Sequence, residues 1–210
     1  MKRLLGLLLV MGMVGCGGSD TSSLPKATTS PRATTPKLPP AYRALQKIPN
    51  TRIDLTAEGE IEVVSVMNNR ATDETLQLLD GLIHLKNLAL GSNQITDAGL
   101  VNLKGLSNLQ YLWLDNTAIT GPGLVHLKGL TELRRLTLVD AKVTDAGLVH
   151  LKQMTNLREL WLTSTQITDS GLVHLKELTS LTMLNLSGTK VTDAGIVELQ
   201  EALPNCKITK

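Results

Sequence analysis

The hydrophobic positions of this chain recur with a period of 24 residues. The stretch Leu85–Leu106 reads LKNLALGSNQITDAGLVNLKGL, with leucines in the order L-x-x-L-x-L before a polar turn and L-x-x-L-x-x-L after it. The same frame begins again at Leu109, Leu133, Leu157 and Leu181, and once earlier at Ile61. Six copies in one phase, without an insertion, indicate a solenoid of stacked units rather than a globule around one central core.

Each copy predicts a strand, a turn and a short helix. The L-x-x-L-x-L segment alternates between apolar and polar positions, which indicates a strand with its leucines inward. Thr96 and Asp97 follow it and offer side-chain oxygens that can cap the first turn of a helix. Leu100, Leu103 and Leu106 then recur every three residues on one helical face. Stacked copies therefore predict a parallel sheet on the concave side with helices outside.

Two polar columns at the turn are interpreted as structural. The carboxylates are Asp97, Asp145, Asp169 and Asp193, and Gly121 interrupts their column. The hydroxyls are Thr96, Thr120, Thr144, Thr168 and Thr192. Helix capping accounts for the aspartates, and no acid–base partner accompanies them.

The unit resembles a leucine-rich repeat ending in T-D-x-G-L-x-x-L, of the cysteine-containing type found in F-box proteins and many bacterial surface proteins. The resemblance covers residues 61–203 and implies an α/β leucine-rich repeat solenoid, with a curved parallel β-sheet on the concave face and short helices on the convex face. It also implies a polar ladder between adjacent turns. The column of that ladder reads Asn69, Asn93, Thr117, Ala141, Thr165 and Thr189. We expect an interruption at Ala141, which has no side-chain donor.

Both ends of the repeat array carry segments suited to covering it. Residues 41–60 form the predicted N-terminal cap, with a helix in Pro40–Ile48 and a hairpin whose strands are Arg52–Leu55 and Glu60–Val66. Residues 204–210 form the predicted C-terminal capping strand, because the period places Ile208 level with Leu184. The lone Cys206 is expected to be a buried, unreactive thiol.

The first forty residues predict export and a membrane anchor. Residues 1–15 combine a basic head with an eleven-residue apolar run, as in a secretory signal peptide. The ending Met13-Val14-Gly15-Cys16 resembles the lipobox of bacterial lipoproteins, which implies that Cys16 is the lipidated first residue of the mature chain. Residues 16–40 are rich in Thr, Ser and Pro and predict a disordered tether. The expected location is the cell envelope, at the outer membrane or cell surface.

Charge and composition argue against several classes of function. From residue 42 onward, 16 Lys and Arg face 18 Asp and Glu, so the folded part lacks the basic surface of a nucleic-acid-binding protein. His126, His150 and His174 recur at the repeat period, which invites a metal hypothesis, but near-verbatim repetition explains the column. We find no phosphate loop, nucleophile motif or zinc-ligand spacing, and therefore expect no enzyme, no cofactor and no metal.

The variable strand positions are expected to face outward on the concave sheet. One column reads Ser65, Ala89, Trp113, Thr137, Trp161 and Asn185, and its neighbour reads Val63, Asn87, Tyr111, Arg135, Glu159 and Met183. Both tryptophans share a column, with Thr137 between them and Asp115 nearby. Tryptophan, tyrosine and arginine dominate interface hot spots. The predicted partner-binding residues are Trp113, Trp161, Tyr111, Arg135, Glu159, Asp115 and Thr137.

Three functions fit these features. The first is a monomeric, membrane-anchored binding protein whose concave face engages a protein or peptide partner. The second is a structural spacer of the envelope, in which the tryptophans only cover the sheet. The third is a carbohydrate-binding module, because flat indole rings can stack on sugars.

Overall fold

A computed structural model describes residues 38–66 and 68–210 of the chain. These residues form one eight-stranded sheet whose strands follow each other in sequence order. The strands are β1 (Thr51–Leu55), β2 (Ile61–Val66), β3 (Asn87–Leu90), β4 (Tyr111–Trp113), β5 (Arg135–Thr137), β6 (Glu159–Trp161), β7 (Met183–Asn185) and β8 (Lys207–Thr209). β1 is antiparallel to β2, and every later neighbour is parallel. The solenoid predicted from the period is the observed fold.

The 24-residue period sets the register of the parallel strands. Leu88 pairs with Leu112, and the same pairing repeats at every later step as far as Leu184 with Ile208. The inward leucines form one continuous core, most of them with no exposed surface. Each leucine therefore packs on the equivalent residues of the units before and after it.

The hairpin and a short helix cover the first repeat. Helix α1 (Pro40–Leu45) begins with proline, whose fixed φ suits the first helical position. Leu45 is buried against the core, and Tyr42 and Ile48 pack beside it. The turn between β1 and β2 contains Gly59 at a φ of 87°, a conformation that glycine adopts without a steric penalty.

The convex side contains shorter and tighter helices than the sequence suggests. The α-helices are α2 (Asp73–Gln77), α3 (Asp145–Leu148), α4 (Asp169–Leu172) and α5 (Asp193–Ala202). The 3₁₀ helices are Gly99–Leu103, Pro122–Leu127, Val149–Leu151 and Val173–Leu175. A 3₁₀ helix has three residues per turn, so leucines spaced by three lie on one face of it. The spacing that predicted a helix thus also favours the 3₁₀ form.

The aspartate column joins adjacent repeats, and its interpretation as helix capping is wrong. Where α-helices begin at this turn, threonine holds the N-cap position and aspartate follows it as the first helical residue. The carboxylate of Asp97 accepts from the backbone N–H of Thr120 in the next repeat at 2.8 Å, and also from the Thr120 hydroxyl. Three further pairs repeat this arrangement: Asp73 with Thr96, Asp145 with Thr168 and Asp169 with Thr192.

The column after the strands behaves differently from the predicted ladder. Asn69 and Asn93 do join adjacent turns, since Asn69 Oδ1 accepts from the Asn93 backbone N–H at 2.9 Å and Asn69 Nδ2 donates to Asn93 Oδ1 at 3.0 Å. The threonine hydroxyls instead donate to the carbonyl three residues earlier in their own repeat. These pairs are Thr117 with Leu114, Thr165 with Leu162 and Thr189 with Leu186. Ala141 is buried and makes no side-chain hydrogen bond, as its chemistry requires.

The N-terminal expectations lie outside the described residues. The signal segment, Cys16 and the tether up to residue 37 are not part of the described structure. Among the helices in residues 38–66 and 68–210, none combines the length and apolar character needed to cross a membrane.

Candidate functional site

The concave columns align as the period predicts. Across β3 to β6, Ala89 pairs with Trp113, Trp113 with Thr137 and Thr137 with Trp161. In the neighbouring column Tyr111 pairs with Arg135, and Arg135 with Glu159. Adjacent strands lie about 4.8 Å apart, so the two tryptophans are about 10 Å apart with Thr137 between them.

Trp113 belongs to a connected stack of side chains. The rings of Tyr111 and Trp113 are stacked, with centroids 5.9 Å apart and planes inclined by 15°. The Arg135 guanidinium lies 5.9 Å from the Tyr111 ring centroid, within cation–π range. Arg135 also donates from Nη2 to Glu159 at 2.8 Å, and this bond raises the pKa of Arg135. Glu159, Arg135 and Tyr111 therefore form a chain of contacts that ends on the ring of Trp113.

Thr137 does not present a contact surface, contrary to the prediction. Its side chain is 5% exposed because it lies between two large indoles on the adjacent strands. Trp161 remains half-buried, and its Nε1 is buried without a protein hydrogen-bond partner. The two tryptophans thus differ in environment despite their equivalent positions.

Several buried polar atoms on this face have no protein partner. Among the described residues, those on the concave side are Ser65 Oγ, Arg135 Nε, Thr137 Oγ1, Trp161 Nε1 and Thr163 Oγ1. An unsatisfied buried polar group costs about 1–3 kcal/mol, so such groups in folded proteins call for an explanation. Here the unpartnered groups concentrate on the surface that also carries the half-buried aromatic residues Tyr111, Trp113 and Trp161.

An open groove lies beside Trp113 on the N-terminal half of the face. Its volume is about 660 Å³. The lining residues are Arg52, Asp54, Val63, Val64, Ser65, Asn87, Ala89, Leu90, Gly91, Trp113 and Asp115. The floor contains the small residues Ser65 and Ala89, whereas Trp113 stands above it as a wall. The contrast in side-chain size produces the depression.

The sequence-based prediction identified only Trp113 and Asp115 of this groove. Arg52 and Asp54 come from β1, which precedes the repeats, and the period says nothing about their position. The small residues Ser65 and Ala89 were visible in the column next to Trp113. The change from small residues, Ser65 and Ala89, to Trp113 along this column is the sequence feature that could have indicated the groove.

A second depression, of about 740 Å³, follows the loops at the end of the strands. Its lining is polar and includes Asn68, Asn93, Asn116, Asp140 and Lys142. Asn68, Asn116 and Asp140 have positive φ values, which asparagine and aspartate tolerate better than most residues. Backbone geometry therefore accounts for part of this polar edge.

The histidine column and Cys206 were the remaining candidates for metal binding or reactive chemistry. Within the part of the chain that the structure describes, no group of three His, Cys, Asp or Glu side chains could hold a metal ion. Burial, followed by the charge of Lys128, lowers the pKa of His150. Cys206 is 4% exposed and burial raises its pKa, so the thiolate that would react is disfavoured.

These features define a repeat solenoid with an open concave face. Family models for leucine-rich repeats match residues 83–142 and 155–205, which together make up more than half of the chain. The chain belongs to the leucine-rich repeat family. No curated protein matches it in sequence.

Three of the solved structures with a similar fold come from two bacteria. An internalin of Listeria monocytogenes is 24% identical with a TM-score of 0.56, over 70% of this chain and 38% of that one. A leucine-rich repeat protein of Leptospira interrogans is 25% identical with a TM-score of 0.54, over 70% of this chain and 35% of that one. A second Listeria internalin is 23% identical with a TM-score of 0.51, over 71% of this chain and 80% of that one. The chain thus spans little more than a third of the first two proteins, and the likeness to the internalins shows the fold.

Proposed function

We propose that this chain is a membrane-anchored, non-enzymatic binding protein whose concave face engages a protein or peptide partner. Leucine-rich repeat proteins commonly bind protein partners and are generally non-enzymatic. Curved solenoids use their extended concave surface for this purpose. The face described above is open and carries three of the four aromatic residues of the chain.

The observation that carries the proposal is the arrangement around Trp113. Its indole forms one wall of a groove and stacks on the ring of Tyr111, which in turn lies within cation–π range of the Arg135 guanidinium. A fixed aromatic side chain loses little conformational entropy when a partner binds. Tryptophan, tyrosine and arginine are also the residues enriched among interface hot spots. The half-exposed stack has the composition and the rigidity of such an anchor.

Selection from a phage-displayed peptide library tests this function. The full chain carrying Cys16→Ser, which cannot be acylated, serves as bait, and Trp113→Ala is the comparison variant. We expect selected peptides to lose affinity by at least about thirtyfold on Trp113→Ala, which corresponds to the loss of about 2 kcal/mol that defines a hot spot. Val149→Ala, an exposed position on the convex side, is the matched control and should leave binding unchanged. Selected peptides whose binding is independent of Trp113 would contradict the concave-face assignment.

A carbohydrate partner is the second candidate, favoured by the polar edge of asparagines next to the aromatic face. A glycan array with the same two variants separates the possibilities. Glycan binding lost on Trp113→Ala, without any selected peptide, would favour the carbohydrate module. If neither a glycan nor a peptide binds, the third possibility, a structural spacer of the envelope, is favoured.

We propose Cys16 as the lipidated residue and the cell envelope as the location of the protein. Support comes from the basic start of the chain, the apolar run before Cys16 and the resemblance of residues 13–16 to a lipobox. Acyl chains contribute about 0.8 kcal/mol for each buried methylene, so several chains give a stable anchor. Metabolic labelling with an alkyne fatty acid should mark the wild-type protein and not Cys16→Ser. Equal labelling of both would refute this anchor.

A further inference from the structure

The groove has two unlike walls on either side of a low floor. One row across four strands places Arg52 next to Ser65, Ser65 next to Ala89 and Ala89 next to Trp113. Three strand spacings of about 4.8 Å put the two walls about 14 Å apart. In this row, the side chains between the two walls are the hydroxymethyl group of Ser65 and the methyl group of Ala89. A side chain of a partner can therefore reach the sheet beside the indole.

The charges of the groove do not cancel. Arg52 donates to both oxygens of Asp54, with an Nη2 to Oδ2 distance of 2.6 Å. These two groups neutralise each other at the wall opposite Trp113. Asp115 lies at the tryptophan wall and forms no salt bridge with any described residue. The uncompensated charge of the groove is therefore negative and lies beside the indole.

The Asp115 carboxylate is also oriented. Its Oδ1 accepts from the backbone N–H of Val139 at 3.0 Å, which fixes the group to the next repeat. Within the described residues no hydrogen bond reaches its Oδ2. Asp115 and Trp113 line the same groove. An oriented carboxylate and an indole in one groove match a cation, which gains from both the ion pair and the ring quadrupole.

A buried hydroxyl on the floor independently indicates a polar ligand. Ser65 is 7% exposed, lines the groove, and its Oγ has no protein hydrogen-bond partner. A serine hydroxyl can both donate and accept. A backbone amide or carbonyl of a bound segment would satisfy it.

We propose that the groove binds an extended peptide segment of the partner through a basic side chain, held between the indole of Trp113 and the carboxylate of Asp115. Arginine binds more tightly than lysine there, because a planar guanidinium stacks on an indole and pairs with a carboxylate through two parallel hydrogen bonds. This inference rests on the proposed function, since it names the chemistry of the partner at the same face.

Nuclear magnetic resonance of the two indole N–H groups tests the inference directly. The ¹⁵N-labelled full chain with Cys16→Ser is titrated with acetyl-Gly-Gly-Arg-Gly-Gly-amide and with the same peptide containing lysine, glutamine or glutamate in place of arginine. A Trp161→Phe variant assigns the two signals. We expect the arginine peptide to shift the Trp113 signal saturably and the Trp161 signal little, with weaker binding of lysine and none of glutamate.

Two charge variants separate a specific site from general attraction. Asp115→Asn keeps the acceptor for Val139 but loses the charge, so affinity for the arginine peptide should fall about five- to tenfold. Asp140→Asn removes the same charge outside the groove, at a positive φ that asparagine tolerates, and should change affinity less than twofold.

Three results would overturn the inference. They are an unshifted Trp113 signal with the arginine peptide, equal binding of the glutamine peptide, and full affinity in Asp115→Asn. If one of these three results is obtained but library peptides still depend on Trp113, the proposed function stands and only the preference for a basic side chain is wrong. If no library peptide depends on Trp113 while the arginine peptide binds as described, the basic-side-chain site stands and the proposed function fails.

Discussion

Replacing Gly123 by alanine tests the contact that joins successive repeats. A methyl group at Gly123 would lie 2.7 Å from Cγ and 2.9 Å from Cβ of Asp97, one repeat earlier. Real carbon atoms do not approach this closely, so the Asp97 carboxylate must move. The carboxylate would then lose its bonds to the backbone N–H and the hydroxyl of Thr120.

The expected loss of stability follows from these two effects. Overpacking of a filled site costs about 1–3 kcal/mol. Each lost hydrogen bond adds about 0.5–1.5 kcal/mol, and the lower part of that range applies because Asp97 is only half-buried. We therefore expect Gly123→Ala to lower the free energy of unfolding by about 2–4 kcal/mol. Gly105→Ala is the matched control, because nothing lies within 4 Å of its added methyl, and it should be near neutral.

A double-mutant cycle identifies Asp97 as the cause. Asp97→Gly removes both atoms that the methyl would meet, so Gly123→Ala should cost at least about 1 kcal/mol less in that background. The chain contains a related arrangement at Gly121 and Gly147, where the carboxylate is missing and a methyl on Gly147 would meet Gly121 Cα at 2.5 Å. Urea denaturation followed by circular dichroism gives the midpoints. Additive losses, or equal losses for Gly123→Ala and Gly105→Ala, would refute the reasoning.

Three further predictions concern pH, backbone and thiol chemistry. The pKa of His150 is lowered in the folded state, so its contribution to stability should be complete above about pH 6.5 and should fall as the pH drops towards the folded pKa. Urea midpoints measured at pH 7.5 and 5.5 should therefore differ less in His150→Gln than in the wild type. Gly188 has a φ of 71°, so Gly188→Ala should cost about 1–2 kcal/mol in the same assay, and an unchanged midpoint would contradict this. In the Cys16→Ser chain, Cys206 should react with Ellman's reagent only on unfolding; rapid reaction of the native protein would show an accessible thiol.

The period alone predicts the scaffold, because it constrains every repeat in the same way. Leucines spaced by 24 residues can be buried together only if equivalent strands pair, so Leu112 must lie next to Leu88 and Leu136. The same period predicts that Trp113 and Trp161 share one column, and the strand pairing confirms it.

The details that depend on one particular neighbour could not be predicted in this way. The partner of Asp97 is in the next repeat, and within a single copy the residue looks like a helix cap. The groove needs the register of Arg52 against Ser65, which an antiparallel hairpin outside the repeats determines. The burial of Thr137 follows from the size of its two neighbours rather than from its own polarity.

The two tryptophans show that equivalent positions in a repeat protein need not share an environment. Trp113 stacks on Tyr111 and borders a groove whose next column positions are alanine and serine. Trp161 has glutamate at the position of Tyr111 and is followed in its column by Asn185, and its Nε1 is buried. A partner can therefore reach the sheet beside Trp113. The proposed binding surface depends on departures from the repeat, and the groove that they form lies where the hairpin meets the first repeats.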